Sequence, residues 1–294
     1  MERVDRYLHS EWVKYDCLIF DLDDTLYPHS SGIAEACAKN IREFMVKRLN
    51  IEESKVEEIS NVLYKHYGTT MAGLRAFGYD FDYDEYHSYV HGRLPYERLK
   101  QDLILRNILQ SIPLRKIIFT NADRNHALTS LNKLGLEGCF EGIICFEALN
   151  PTHKQTDSDD EGDAAFVGSE MFMEPKHTIL DIVAIFNKSN PSSIIPKTPI
   201  VCKPSERCIQ RALEMAHIEN PNRCLFFEDS IRNIQAGKNI GLHTVLVGKS
   251  QIFKGADYAL ESIHNIREAL PQLWERNSDV VYSEMVGVET PVSA

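Results

Sequence analysis

Cys17-Leu18-Ile19-Phe20-Asp21-Leu22-Asp23-Asp24-Thr25-Leu26-Tyr27 decides how the rest of the chain is read. Four apolar residues run into three carboxylates and a threonine. A short buried strand accounts for the apolar part. Open α/β sheets place their ligand chemistry just beyond the carboxyl ends of such strands. Asp21 and Asp23 are two positions apart, so in a continuing strand both point to one face. Carboxylates crowded there repel unless a cation lies between them or one takes a proton. An oxygen-ligated divalent cation relieves the repulsion, and Mg2+ suits carboxylates combined with phosphate oxygens. The plainer alternative is a strand followed by an acidic turn that caps a helix.

The chain has 294 residues, 43% of them hydrophobic, enough for one large or two smaller domains. Its net charge of −11 argues against a nucleic-acid-binding surface. Part of that excess is local, in Asp157, Asp159, Asp160, Glu161 and Asp163. Seven cysteines are scattered without a CxxC pair, which indicates neither a zinc site nor a disulfide framework. Reduced, mostly buried thiols in the cytosol are the simplest reading. Residues 1–14 are charged and do not read as a signal peptide, and no apolar run approaches membrane-spanning length.

Beyond the opening strand, apolar spacing predicts helices over 33–49 and 52–65, a break at Gly68 and Gly73, a helix entered near Asp82 or Asp84, and a last one over 99–109. Residues 32–110 therefore read as all-helical, inserted between two strands. His87 and His91 stand i,i+4, a metal-binding spacing, but the sequence offers no third ligand beside them. Strands are expected at 116–120, 142–146, 223–228, 243–247 and 258–260. Helices are expected after Asn121, over 179–186, after Ser205, after Ser230 as far as Gly237 or Gly241, and over 263–273. Residues 150–176 read as a polar, acidic surface insertion and 277–294 as a loose tail.

Strands alternating with helices imply a parallel sheet. The polar residues at strand ends then share one edge: Asp21 and Asp23, Thr120 and Asn121, Glu228 and Asp229. There Asp21 is a candidate nucleophile and Asp23 a carboxylate able to carry a proton for a leaving group. Glu228 and Asp229 complete a hard-cation site with Asp21. Lys203 offers positive charge for phosphoryl oxygens, and Thr120 and the backbone near Asn121 offer donors. Tyr67, Thr69, Thr70 and Arg75 offer hydroxyls and a cation from the helical segment, with glycine turns and core packing as the structural alternative.

In this order the residues resemble the haloacid dehalogenase (HAD) superfamily of Mg2+-dependent phosphohydrolases. The match runs through Asp21-Leu22-Asp23-Asp24-Thr25, Phe119-Thr120-Asn121, Lys203, and Glu228-Asp229 with Ser230 and Asn233. More narrowly, Phe20 to Tyr27, Tyr67-Gly68-Thr69 and Phe227 to Ser230 look like the pyrimidine 5′-nucleotidase branch, and the acidic insertion looks like that of its plant members. The resemblance implies a Rossmann-like, three-layer α/β parallel core over residues 15–31 and 111–275, a helical cap over 32–110 and a flexible tail over 276–294. It implies that Asp21 forms an aspartyl-phosphate and Asp23 protonates the leaving alcohol. Mg2+ is then held by Asp21, the Asp23 backbone carbonyl and Asp229, with Glu228 bound directly or through water. Thr120, Asn121 and Lys203 bind the phosphoryl group, and Tyr67, Thr69, Thr70 and Arg75 face the substrate, with His91 and Arg93 behind them. Halide removal is disfavoured, because the superfamily's dehalogenases lack the second aspartate. The expectation is a cytoplasmic enzyme, with the nucleus as a further location, monomeric or homodimeric. It acts on a small phosphorylated metabolite, foremost a pyrimidine nucleoside 5′-monophosphate. The rivals are a sugar phosphate or lysophosphatidate, and a non-catalytic regulator that docks partners on the acidic insertion.

Overall fold

The computed structural model describes residues 15–151, 182–183, 185–186 and 195–274. The acidic insertion beyond residue 151, the expected helical start at 179–181 and the C-terminal tail lie outside the described residues.

The core is a six-stranded sheet: β1 (Cys17–Phe20), β2 (Arg115–Phe119), β3 (Gly142–Ile144), β4 (Cys224–Glu228), β5 (His243–Val247) and β6 (Tyr258–Leu260). Every neighbouring pair is parallel, in the order β3-β2-β1-β4-β5-β6. This is the α/β core that the alternation of strands and helices implies. Side chains of β1 alternate between two apolar layers, as a period of two dictates. Leu18 and Phe20 join Ile118, Leu225 and Phe227 on one face, while Cys17 and Ile19 join Ile117, Phe119 and Phe226 on the other. The Phe20 and Phe227 rings stack 4.5 Å apart. Complete burial of Phe20, Phe226 and Phe227 contributes about 1.5–3 kcal/mol each. Helices α5 (Leu103–Ser111) and α6 (Arg124–Leu134) cover the first face, and α8 (Glu206–Met215) and α9 (Ile231–Asn239) the second. The middle layer is thus buried on both sides, which is why its strands read as apolar runs.

Between β1 and α5 lie α1 (Ile33–Leu49), α2 (Glu53–Tyr67), α3 (Thr70–Ala76) and α4 (Tyr83–Val90). They share apolar clusters centred on Phe44, Tyr86 and Val90, and on Met45, Ile59, Leu63 and Leu74. The first of these includes Phe146, Ile200 and Cys202, so it also joins the insertion to loops of the α/β core. Side-chain caps mark where helices start. Thr69 accepts from the Ala72 N–H, Asp82 from Glu85, Asp102 from Leu105, and Asp123 from Asn125 and His126. The last α-helix among the described residues, α10, is a single turn (Ile266–Ala269).

Several boundaries differ from the sequence reading. The strand expected to run to Phe146 ends at Ile144, and α7 (Phe146–Leu149) follows, because the Phe146 N–H turns to the Ala122 carbonyl. The helix expected from Leu99 starts at Leu103, where Asp102 supplies the cap. Gly73 lies inside α3, and Gly237 inside α9, which runs on to Asn239. The helix expected over 263–273 is broken into short turns by Pro271, which cannot continue a hydrogen-bonded helix. All seven cysteines are unpaired thiols, six of them buried. No described helix is long and apolar enough to cross a membrane.

Candidate active site

The sheet order places β1 between the strand that follows it and the strand that returns after β3. Ligand crevices of open α/β sheets form at such a reversal, outside the carboxyl ends of the strands. Asp21 follows β1, Thr120 follows β2, and Glu228 ends β4 with Asp229 after it. The register Phe20↔Phe227 brings Asp21 alongside Glu228, and the Asp21 N–H donates to the Phe227 carbonyl at 2.9 Å.

At the centre is Lys203, 1% exposed. Its ammonium donates to Asp21 Oδ1 at 2.6 Å, Glu228 Oε2 at 2.8 Å and the Phe119 carbonyl at 2.9 Å. All three of its hydrogens are therefore committed. Between two carboxylates it stays charged despite its burial. The loop that carries it is fixed by Asn121. The Asn121 side-chain amide donates to the Lys203 carbonyl at 3.1 Å, and its Oδ1 accepts from the Lys203 N–H at 2.8 Å. The Asn121 side chain is thus spent on positioning Lys203. Thr120 Oγ1 accepts from the Ala122 N–H, which leaves its hydroxyl proton to donate.

One carboxylate oxygen from each of Asp21, Glu228 and Asp229 lies within 4.8 Å of the others. Burial, then the neighbouring Glu228 charge, pushes Asp21 up to about 7. Burial raises Glu228 to about 7, and burial with the Asp21 charge raises Asp229 to about 6. Lys203 alone does not neutralise three carboxylates, two buried and one half-buried. An oxygen-only donor set with this residual repulsion fits a hard divalent cation such as Mg2+.

Asp23 occupies a different environment. Its Oδ1 accepts from the Tyr27 hydroxyl and from His126 Nε2, the latter at 2.6 Å. Burial opposes its charge, but the His126 cation wins and holds Asp23 at about 2. The same pairing raises His126 against its own burial. His126 Nδ1 in turn meets the Tyr96 hydroxyl at 2.8 Å. Sequence reading missed His126, Tyr27 and Tyr96. The only signal available was a histidine three residues past Asp123 on a helix following a strand end. Thr25 donates to Asp21 Oδ2 at 3.1 Å. Asp24 takes a left-handed backbone conformation with φ of 57° and pairs with His29.

A cavity of about 590 Å3 opens on Asp21, Asp23, Thr120, Asn121, Lys203, Glu228 and Asp229. Helices α1, α2 and α4 supply much of its other wall, including Arg42, Asn61, Tyr64, His87 and His91. Of the four residues singled out from the helical segment, Thr69 and Thr70 line it. Thr69 also caps α3, and Thr70 bonds to Ser60. Tyr67 and Arg75 are not on the wall. The Tyr67 hydroxyl donates to the Pro196 carbonyl at 2.8 Å. The Arg75 guanidinium donates to the Tyr79 carbonyl and Asp80, and lies over Phe81 and Tyr83. Arg93 pairs with Glu43 on the outside. Beyond Lys203, the cations that reach the cavity are Arg232, which donates to the Tyr64 and Lys65 carbonyls, and Arg42, which has no ion-pair partner among the described residues. The place of Arg42 in a long amphipathic helix gave no signal.

No protein-family model matches the chain. Over 132 residues it is 28% identical to phosphate metabolism protein 8 of Saccharomyces cerevisiae, a match that covers 42% of this chain and 41% of that protein. The chain therefore spans about two fifths of the length of that curated relative. Similar solved structures include HAD-superfamily hydrolases. A HAD phosphatase from Thermococcus onnurineus aligns with a TM-score of 0.48 at 15% identity, covering 86% of this chain and 96% of that one. The HAD-hydrolase YfnB from Bacillus subtilis, solved bound to magnesium, aligns at 0.47 and 17% identity, covering 87% and 98%. The L-2-haloacid dehalogenase from Xanthobacter autotrophicus aligns at 0.44 and 12% identity, covering 86% and 97%.

Proposed function

We propose that the chain is a cytoplasmic, Mg2+-dependent phosphomonoesterase that works through a phosphorylated Asp21. The observation that carries this reading is the Lys203 ammonium held between Asp21 and Glu228, with Asp229 alongside, on the wall of a cavity large enough for a nucleotide. Asp21, Glu228, Asp229 and the Asp23 backbone carbonyl would hold Mg2+, which supplies charge neutralisation for the phosphoryl oxygens when bound.

The chain's own residues divide the remaining work. An Asp21 carboxylate oxygen attacks phosphorus, and the bond from phosphorus to the ester oxygen breaks as the new one forms. Asp23, which shares a proton with His126, delivers it to the leaving oxygen. Asp23 then takes a proton from water, which attacks the same phosphorus. Phosphate leaves and the Asp21 carboxylate is restored. Lys203 keeps Asp21 oriented and adds positive charge. The Thr120 hydroxyl and the Asn121 backbone N–H donate to the transferring group.

The substrate of this reading is a nucleoside 5′-monophosphate, foremost a pyrimidine nucleotide such as UMP or CMP. The cavity lining includes the aromatic side chains Tyr64 and Tyr86, and Asn61 and Arg42 as donors for a base carbonyl. A second reading, an ester with an apolar leaving group such as lysophosphatidate, is favoured by Ile33, Ile41, Met71 and Val90 on the same wall. A panel of phosphate esters assayed in Mg2+, beside Asp21→Asn, tests both. The proposal expects pyrimidine nucleotides to lead in kcat/KM and Asp21→Asn to lose turnover by a factor of about 10³ or more. Mg2+-dependent turnover by Asp21→Asn sinks the nucleophile assignment. A lead for lysophosphatidate or sugar phosphates sinks the nucleotide reading.

A further inference from the structure

His87 and His91 stand one turn apart on α4 and its C-cap, and their spacing left them one ligand short of a metal site. The fold supplies the missing group from the α/β core. Asp123, at the N-cap of α6, hydrogen-bonds His91 Nδ1 through Oδ1, and the same oxygen lies 3.7 Å from His87 Nδ1. One donor atom from each of the three residues lies within 4.8 Å of the others. The Asp123 carboxylate is oriented from behind, since its Oδ2 accepts from the Asn125 and His126 N–H groups at 3.1 and 3.2 Å.

His87 is the second observation. It is 7% exposed, and neither ring nitrogen has a hydrogen-bond partner among the described residues. A buried imidazole without partners costs stability, and native structures rarely retain one. Packing does not explain its polarity: it sits edge-on to Phe146 and stacks on His91, and an aromatic hydrocarbon would fill the space equally well. Both histidines face the cavity.

We propose that His87, His91 and Asp123 form a transition-metal site suited to Zn2+, with its fourth position open to the cavity, that ties the helical insertion to the α/β core. Two imidazoles and a carboxylate are a Zn2+ donor set. Mg2+ demands oxygen ligands and does not compete there. To admit the metal, the hydrogen bond between His91 and Asp123 opens into two metal–ligand bonds. Because His87 and His91 belong to the insertion and Asp123 to the core, the bound ion fixes the two against each other. The His91 ring also lies 4.7 Å from His126, the partner of Asp23.

The test is Zn2+ binding to the full chain in saturating Mg2+, read by competition with a chromophoric chelator. Co2+ substitution, read by its visible absorption bands, reports the ligand set. Zn2+ is expected at about one per chain. His91→Asn and His87→Phe should each weaken binding by about tenfold or more, and Asp21→Asn should leave it intact. Asp123→Asn removes the charged ligand while keeping an N-cap side chain, so it decides the matter should a histidine variant fail to fold by circular dichroism. Absence of Zn2+ binding by the parent chain overturns the proposal. So does equal affinity in the folded ligand variants, or a loss confined to Asp21→Asn.

Discussion

Asp21 and Asp23 are two residues apart and live in opposite electrostatic surroundings. Burial, and then the Glu228 charge beside it, disfavours the charged form of Asp21; Asp23 is also buried but faces His126, so its charged form is favoured. Asp21 therefore needs a bound cation to ionise fully, whereas Asp23 stays ionised and draws the proton it delivers from His126. His126 is the residue that separates them, and its contribution has a testable sign. Its folded pKa is raised, so the stability it adds is complete below the unfolded value of about 6.5 and fades as pH rises through the folded one. His126→Gln should therefore cost about 2 kcal/mol at about pH 6 and clearly less at about pH 9. Urea midpoints at both pH values measure this, and a deficit independent of pH would contradict the ion pair.

Among the elements, the turn between α2 and α3 has the tightest constraint. Gly68 adopts φ of +88°, and a Cβ there would lie 2.1 Å from the Lys203 carbonyl oxygen and 2.6 Å from Pro204 Cδ. The helical insertion thus touches the backbone of the residue that bridges Asp21 and Glu228. Arg232 adds a second tie, donating from the start of α9 to the Tyr64 and Lys65 carbonyls at the end of α2. Gly68→Ala places a side chain in both a disfavoured conformation and an occupied space. It should destabilise the chain by about 1–3 kcal/mol and lower kcat, since the displaced backbone carries Lys203. Thermal unfolding and steady-state kinetics on the same preparation check both; a stable variant with parental kcat would show that the turn does not position Lys203.

At the scale of the whole molecule, Asp21, Glu228 and Asp229 are crowded together where burial, and then their neighbouring charges, disfavour ionisation. Their values of about 7, 7 and 6 mean that folding without a divalent cation holds protons or strain at neutral pH. A cation that binds only the folded state stabilises it by mass action, about 2.7 kcal/mol at a concentration of a hundred times Kd. For a chain of this size that corresponds to roughly 5–10 °C in Tm. Addition of Mg2+ should raise Tm by that order, chelation should reverse it, and Asp229→Asn should abolish most of the response. An equal Mg2+ response in Asp229→Asn would place the cation elsewhere.

The sequence by itself determined the parallel α/β core and the groups at its edge. Both are local facts: an apolar run such as Cys17 to Phe20 must be buried, and polar residues such as Asp21, Thr120 and Glu228 must follow where such runs end. Lys203 was legible only through its order relative to these groups, since a lysine before proline carries no signal of its own. Tertiary structure alone decided what each polar side chain spends its hydrogen bonds on. Arg75 is consumed by Tyr79 and Asp80, Asn121 by Lys203, and Tyr67 by Pro196, while His87, on the cavity lining, has no hydrogen-bond partner among the described residues. It also joined His126 to Asp23, 103 residues apart, and Asp123 to His91, 32 apart. Periodicity reports which face of a helix is apolar, whereas a hydrogen bond depends on a partner that only the packed chain brings within reach.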